Sequence, residues 1–201
     1  MIADRINAGL RRVPPWSLYV AGALWAAWLF FIGVTNPPTP EPINWLEREY
    51  GNLALKLLVV GLAVTPLRRH LRINLMPFRR AIGVTAFFFV LAHFLVFAIL
   101  DVQSVARVWT EIVKRPYVTV GMASFLLLIP LGATSNNASI RRIGAATWRK
   151  LHKLVYPAAI LAAIHYLWLS KGFQIEPLVY LALILALLTF RLPWKRLRPA
   201  T

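Results

Sequence analysis

Six apolar runs, each close to the length that crosses a lipid bilayer, dominate this sequence. They cover residues 16–34, 51–67, 81–100, 117–133, about 148–169 and 178–192. A helix needs about 20 predominantly apolar residues to cross the hydrocarbon core, and about 17 suffice. Short connections separate the runs. The pattern predicts an all-α integral membrane bundle of six transmembrane helices, forming one domain over residues 1–201.

Composition supports this prediction. Hydrophobic residues make up 59% of the 201 residues and charged residues 15%, whereas soluble domains average about 25% charged. Arg5, Arg11 and Arg12 precede the first run, as in a signal peptide. The run is long for a signal peptide, and no small-residue cleavage motif follows it, so we expect a retained first span.

The charges indicate how the bundle is oriented. The chain has 23 Lys and Arg against 7 Asp and Glu, for a formal net charge of +16. With six spans, 17 basic residues fall on the side that holds both termini and 5 on the other, while Lys56 lies inside a span. The positive-inside rule therefore predicts cytoplasmic termini. The basic excess is then a topology signal with affinity for anionic lipids, and we expect no nucleic-acid binding.

Histidine is the most plausible metal ligand in this chain. Cysteine is absent, which excludes thiolate metal sites, and only four histidines are present. His93 is central in the third run, His165 lies in the fifth, and His152 lies where the fifth begins. Ionisable side chains at membrane depth are costly and point to function. His70, in a basic connection, is expected to be a solvated loop residue.

His93 and His165 share a depth in the predicted bundle. His93 follows Arg80 by 13 residues and His165 follows His152 by 13 residues, which is about 20 Å from the cytoplasmic end of each helix. Two neutral imidazoles at one level can supply both axial ligands of a haem iron. Such an iron has no open position and passes electrons. The simpler alternative is a pair of buried histidines bonded to carbonyl oxygens.

The other polar candidates keep two interpretations each. His152, about 20 Å from the first pair, is either a ligand of a second haem near the inner face or an interfacial residue. Arg79, Arg80 and Lys56 either contact haem propionates or a flavin phosphate, or serve as interfacial anchors. Arg191 is placed to extend to the lipid headgroups. No catalytic residue set or dinucleotide fingerprint is present, so the electron donor must be another molecule.

Several short stretches, in order, resemble a known family. They are Leu53-Ala54-Leu55-Lys56, Thr65-Pro66-Leu67, Arg79-Arg80-Ala81-Ile82-Gly83, His93, Arg115-Pro116-Tyr117, Trp148-Arg149-Lys150-Leu151-His152 and Ile164-His165-Tyr166-Leu167-Trp168. Together they span about residues 50–170. The chain thereby resembles the MsrQ (YedZ) family, which belongs to the wider ferric-reductase-like transmembrane group.

The resemblance implies a function and cofactors. It implies haem b and FMN in a multi-pass subunit of the bacterial inner membrane. Electrons would come from a cytoplasmic flavin reductase or the quinone pool. They would pass to a periplasmic molybdopterin-containing MsrP-like reductase that repairs methionine sulfoxide in proteins. His93, His165 and His152 would be the haem ligands. The wider group has two histidines on each of two helices, and this chain has only His93 on the third run, so the number of haems stays open between one and two.

Two other functions stay open from the sequence. A stand-alone transmembrane ferric reductase would carry a cytoplasmic flavin and nicotinamide domain, and this sequence ends at Thr201. A transport or assembly subunit without a redox cofactor would purify as a colourless protein. A haem protein would show a Soret band, together with α and β bands on reduction.

Overall fold

A computed structural model describes residues 2–170 and 174–191, and every regular element in this part of the chain is helical. The predicted all-α class is therefore confirmed for the described residues. The α-helices are α1 (Ile2–Arg12), α2 (Ser17–Thr35), α3 (Pro42–His70), α4 (Arg79–Leu95), α5 (Val105–Lys114), α6 (Pro116–Ala133), α7 (Asn137–Ile143), α8 (Ala145–Leu151), α9 (Val155–Leu169) and α10 (Ile175–Thr189). Short 3-10 turns cover Met76–Phe78 and His152–Leu154, and a π-helical turn covers Val96–Asp101.

Four segments in the described part are long and apolar enough to cross a membrane. They are α2, α3, the segment Met76–Asp101 that contains α4, and α6. The fifth and sixth predicted spans correspond to α9 and α10, apolar helices of 15 residues each. Lys171, Lys195, Arg196 and Arg198, which entered the charge count, lie outside the described residues, as does Leu192 at the end of the sixth predicted span.

The structure differs from the prediction most clearly at the start of α3 and at α5. α3 begins at Pro42, nine residues before the predicted span, and its 29 residues extend about 44 Å, longer than the roughly 30 Å hydrocarbon core. Hydropathy marks only the apolar part of a helix, so the polar first turns were missed. Lys56 consequently lies in the middle of α3. α5 was not predicted, because its charged residues interrupt the apolar signal.

The fifth span consists of α8, a 3-10 turn and α9. Pro157 lies in the first turn of α9 and has no N–H to donate to the carbonyl oxygen of Lys153. The 3-10 turn His152–Leu154 immediately precedes this position. Proline thus explains why a continuous helix from Ala145 is divided.

Two helix pairs form the centre of the bundle. α3 packs along α4, and α6 packs along α9. Ala158, Ala159 and Ala163 of α9 are fully buried, and such small residues allow close helix contact in membranes. The Ser124 hydroxyl of α6 donates to the Ala158 carbonyl at 2.8 Å. The two closely packed pairs therefore flank the side chains that lie between them.

The outer surface of α2 is apolar, as expected for a helix in contact with lipid. Leu24, Trp25, Trp28 and Phe31 have 52–67% of their surface exposed. A water-soluble protein rarely exposes a continuous apolar face of this kind. The exposure pattern agrees with a helix that faces acyl chains.

Candidate functional site: a facing histidine pair between two helix pairs

His93 of α4 and His165 of α9 face each other across the centre of the bundle. Their ring centroids are 6.2 Å apart and the ring planes make an angle of 72°. Two imidazoles that each bind a shared metal through one nitrogen at about 2 Å have centroids about 6 Å apart. The structure therefore brings these two sequence-predicted residues to the separation that axial ligation requires.

The His93 ring is fixed by α3. Its Nδ1 lies 2.8 Å from the carbonyl oxygen of Glu47. A Cβ atom at Gly51, one turn further along α3, would lie 3.2 Å from the same Nδ1. The ring thus packs against bare helix backbone, and the absence of a side chain at Gly51 allows this contact.

The His165 ring is fixed by α6 in the same manner. Its Nδ1 lies 2.7 Å from the carbonyl oxygen of Tyr117. A Cβ atom at Gly121, again one turn further along, would lie 2.8 Å from Nδ1. Each histidine therefore contacts the helix that is paired with its own helix. On that neighbouring helix, a carbonyl oxygen accepts the hydrogen bond from the ring, and a glycine four residues later leaves room for the ring.

These hydrogen bonds determine which ring nitrogen can bind a metal. A carbonyl oxygen only accepts, so Nδ1 of His93 and Nδ1 of His165 each donate a proton. In the neutral ring the lone pair is then on Nε2. Metal-binding histidines commonly donate their other N–H to a carbonyl or carboxylate, which fixes the ring orientation. Both rings have this arrangement.

A cavity of about 250 Å³ contains both rings. We call it the outer cavity, because it lies toward the end of the bundle predicted to face the periplasm. Much of its wall is apolar, with Leu55, Leu58, Val90, Phe94, Phe97, Phe125 and Leu128. Arg48, Arg115, Glu47 and Asp101 also line it. The Arg115 guanidinium donates to the Tyr117 hydroxyl at 3.3 Å, and this bond, with the nearby Glu111 carboxylate, raises the pKa of Arg115, which stays cationic.

The residues of the outer cavity fit a haem better than a bare metal ion. The described residues include no cluster of three or more His, Cys, Asp or Glu side chains suited to a metal ion, whereas structural and catalytic zinc sites need at least three protein ligands. Two facing imidazoles among apolar walls suit a flat macrocycle whose iron takes two histidine ligands. The wall also has two cations, Arg48 and Arg115, beside the carboxylates Glu47 and Asp101.

A second cavity of about 520 Å³ lies toward the predicted cytoplasmic end, and we call it the inner cavity. His152 lines it, apart from the facing pair. Its Nδ1 lies 3.1 Å from the Trp148 carbonyl oxygen, its Nε2 lies 3.4 Å from the Ser135 hydroxyl, and its ring stacks on Trp148. His152 is the sole histidine among the described residues of this wall. A second haem would therefore lack an opposing histidine here. Leu58 and Leu128 line both cavities and separate them.

The remaining predicted residues divide between the cavities and the surface. Arg79 and Arg80 line the inner cavity. Lys56 is exposed and lines neither cavity. His70 is exposed as predicted, but it ends α3 and contacts the Phe190 ring at 5.3 Å. The predicted extension of Arg191 to the headgroups is wrong, since its guanidinium points into the bundle and donates to the Leu62 carbonyl oxygen at 2.6 Å.

Sequence reasoning missed the residues that hold the facing pair. Glu47 and Tyr117 act through backbone carbonyl oxygens, which no side-chain pattern reveals. Gly51 and Gly121 carry no chemistry of their own. In both α3 and α6, the residue with the bonding carbonyl oxygen precedes the glycine by four residues. This shared spacing indicates a site only once the helix pairs are known.

Comparison with known proteins places this geometry in a family. Residues 50–163 match the family model described as "Ferric reductase like transmembrane component". The chain is 42% identical over 186 residues to proteins of Brucella ovis, Brucella canis and Brucella suis, each named "Protein-methionine-sulfoxide reductase heme-binding subunit MsrQ". Each alignment covers 91% of this chain and 84% of the relative. No solved structure matches the chain.

Proposed function

The chain belongs to the MsrQ family of ferric-reductase-like transmembrane proteins, and from this premise we propose that it is a haem-binding electron-transfer subunit. It sits in the bacterial inner membrane and passes electrons from the cytoplasmic side to a periplasmic, molybdopterin-containing methionine sulfoxide reductase. The observation that carries this proposal is the facing pair His93 and His165, 6.2 Å apart between their centroids. The substrate is reduced in the partner.

The proposed topology has six spans and cytoplasmic termini. The four longer segments are the first four spans. The fifth span is α9 with the 3-10 turn and α8 before it, and the sixth span is α10. The 15 residues of α9 and the 15 residues of α10 each extend about 22 Å, and α8 with the 3-10 turn lengthens the fifth span. The 17-to-5 distribution of basic residues supports this orientation. The outer cavity then faces the periplasm and the inner cavity faces the cytoplasm.

His93 and His165 would hold the haem iron through their Nε2 atoms. Bound haem supplies one-electron redox chemistry. The Glu47 and Tyr117 carbonyl oxygens keep Nε2 of both rings unprotonated and aimed by fixed hydrogen bonds. Two histidine ligands leave no position for oxygen or substrate, which suits conduction rather than catalysis. Arg48 and Arg115 are placed to pair with the propionate groups, the role first considered for Lys56.

The inner cavity is the proposed site where electrons arrive from a cytoplasmic flavin reductase or from the quinone pool. The family resemblance implies FMN, and the inner cavity has the larger volume and the cations Arg79 and Arg80. His152 would tune or ligate a group bound there. The shared Leu58 and Leu128 walls put the two cavities next to each other, which supports a short electron path across the bundle.

Membrane vesicles of known sidedness test the proposed function. In inverted vesicles, NADH and a flavin reductase added at the cytoplasmic face should reduce the haem. A periplasmic molybdenum-dependent methionine sulfoxide reductase enclosed inside, with its sulfoxide substrate, should reoxidise it. Reoxidation by ferric citrate at an equal rate would favour a ferric reductase. A protein without a Soret band would favour a non-redox subunit, and either result would contradict the proposal.

A further inference from the structure

The surface of α5 is divided into three sectors, and none of its residues is fully buried. Successive residues of an α-helix are about 100° apart around the axis. Val108, Glu111 and Ile112 therefore share one side, and all three are partly buried. Because α5 packs against α6, this side faces the bundle. The other two sectors point away from α6.

The second sector of α5 is apolar and exposed. Val105, Trp109 and Val113 follow one another at intervals of four residues, and 89%, 69% and 63% of their surfaces are accessible. The third sector contains Arg107 and Lys114, which are both exposed cations. The centres of the three sectors are about 120° apart around the helix. One side of α5 thus contacts protein, one side is apolar and one side is cationic.

Contacts with the start of α6 fix how α5 is rotated about its axis. The Glu111 carboxylate pairs with the Arg115 guanidinium, with 2.5 Å between Oε2 and Nε. The Thr119 hydroxyl of α6 donates to the carbonyl oxygen of Ile112. Both contacts involve residues of the sector that faces the bundle. The apolar sector consequently has one fixed direction relative to the spans.

The chain holds α5 close to the edge of the membrane. Only Val102–Ser104 separate it from the π-helical turn that ends the third span, and only Arg115 separates it from α6. Three extended residues reach about 10 Å, and the headgroup layer on each side of a bilayer is about 5–7 Å thick. Both flanking spans expose apolar side chains, with 61% of the Ile99 surface and 57% of the Leu126 surface accessible. α5 therefore lies beside the layer where headgroups meet acyl chains.

We propose that α5 is an interfacial membrane helix, and that its apolar sector inserts into the lipid leaflet at this end of the bundle. Tryptophan concentrates at membrane interfaces, where its ring contacts acyl chains and its N–H reaches the headgroups. Interfacial amphipathic helices bury their apolar side about 5–10 Å deep and carry Lys and Arg on the polar side. Trp109 and the pair Arg107 and Lys114 have this arrangement. The proposal goes beyond electron transfer and does not depend on haem.

Lipid explains the exposed sector better than a soluble protein does. A partner that dissociates would leave Val105, Trp109 and Val113 in water, and water-soluble surfaces rarely keep a continuous apolar face of this kind. Lipid, in contrast, surrounds both spans that flank α5 at all times. The occupant of the apolar sector is therefore the membrane itself.

The absence of cysteine from the chain allows a direct test. Single-cysteine variants of the full chain are labelled with a nitroxide in nanodiscs of phosphatidylethanolamine and phosphatidylglycerol. Electron paramagnetic resonance then compares the collisions of each label with oxygen, which concentrates in lipid, and with a water-soluble nickel chelate. Leu24→Cys, on the exposed apolar surface of α2, is the lipid reference, and Arg141→Cys, at an exposed position of α7, is the water reference.

The two exposed sectors should give different accessibilities. Val105→Cys, Trp109→Cys and Val113→Cys should have oxygen-to-nickel ratios near the lipid reference. These ratios should be at least about threefold above those of Arg107→Cys and Lys114→Cys, which lie on the polar side. Circular dichroism of every variant reports on folding. If the loss of the Trp109 ring disturbs α5, the two valine variants keep that ring and still make the comparison.

Three outcomes overturn the proposal. They are equal ratios in the two sectors, a lipid-like ratio at all five positions, and an apolar sector that excludes the nickel chelate only after the periplasmic reductase is added. The last result would make the sector a protein-docking surface. A colourless chain with the expected pattern would contradict the proposed electron-transfer function and leave the interfacial helix standing. A haem-loaded chain with equal ratios would do the reverse.

Discussion

Adding one methyl group at Gly121 tests how the His165 ring is held. A Cβ atom there would lie 2.8 Å from Nδ1, 2.9 Å from Cε1 and 3.0 Å from Cγ of His165. The first two distances are shorter than Cβ atoms show in proteins, and the third is at the lower limit. In Gly121→Ala the ring must therefore move away from α6, and its 2.7 Å hydrogen bond to the Tyr117 carbonyl oxygen must lengthen or break.

The expected cost follows from these contacts. Losing a hydrogen bond costs about 1 kcal/mol, and overpacking a buried contact costs about 1–3 kcal/mol. If this cost falls on the haem-bound form, haem affinity drops about 30- to 1000-fold. At Gly51 the corresponding Cβ would lie 3.2 Å from His93, so Gly51→Ala should weaken binding by about tenfold.

Haemin titration of the full chain in detergent measures the effect. Gly83→Ala is the matched control, because it lies on α4 with nothing within 4 Å of the added Cβ. The reasoning predicts the order Gly121→Ala, Gly51→Ala, Gly83→Ala from the largest loss of affinity to none. Wild-type affinity in Gly121→Ala, or an equal loss in Gly83→Ala, would refute it.

Four further predictions follow from the same geometry. Arg48→Gln should lower the haem midpoint potential by about 20–60 mV, because a cation at the outer cavity favours the reduced iron. An unchanged or raised potential in a redox titration would contradict this. Lys56→Gln should leave haem content and potential unchanged, since Lys56 lines neither cavity, and a shift above 20 mV would restore its predicted role. His152→Ala should keep the low-spin signal of the outer haem, and loss of that signal in absorption spectra would place His152 among its ligands. Ala159→Leu should destabilise the protein by about 1–3 kcal/mol, because Ala159 of α9 is fully buried against α3 and α10. An unchanged thermal midpoint would contradict this.

The sequence predicted the helical class and the level shared by His93 and His165, because both follow from simple spacing. Apolar runs mark the parts of helices in lipid, and a rise of about 1.5 Å per residue converts spacing into depth. The same reasoning missed the first turns of α3 and all of α5, where charged residues continue a helix beyond the apolar signal. Helix ends depend on backbone hydrogen bonds rather than on hydropathy.

The partners of the site could not be predicted, because they depend on which helices pack together. The carbonyl oxygens of Glu47 and Tyr117 matter only because α3 lies against α4 and α6 against α9. Arg191 shows the same limit. Its position after an apolar helix suggested contact with lipid headgroups, but hydrogen bonds to Leu62 and Tyr156 draw its guanidinium into the bundle.

The central claim is that His93 and His165 together ligate one haem, and electron paramagnetic resonance of the oxidised protein tests it most directly. The wild-type chain should give a low-spin ferric signal typical of two histidine ligands. His93→Ala and His165→Ala should each abolish that signal, and His70→Ala, at an exposed site, should preserve it. A wild-type signal and haem-to-protein ratio in either of the first two variants would contradict the account.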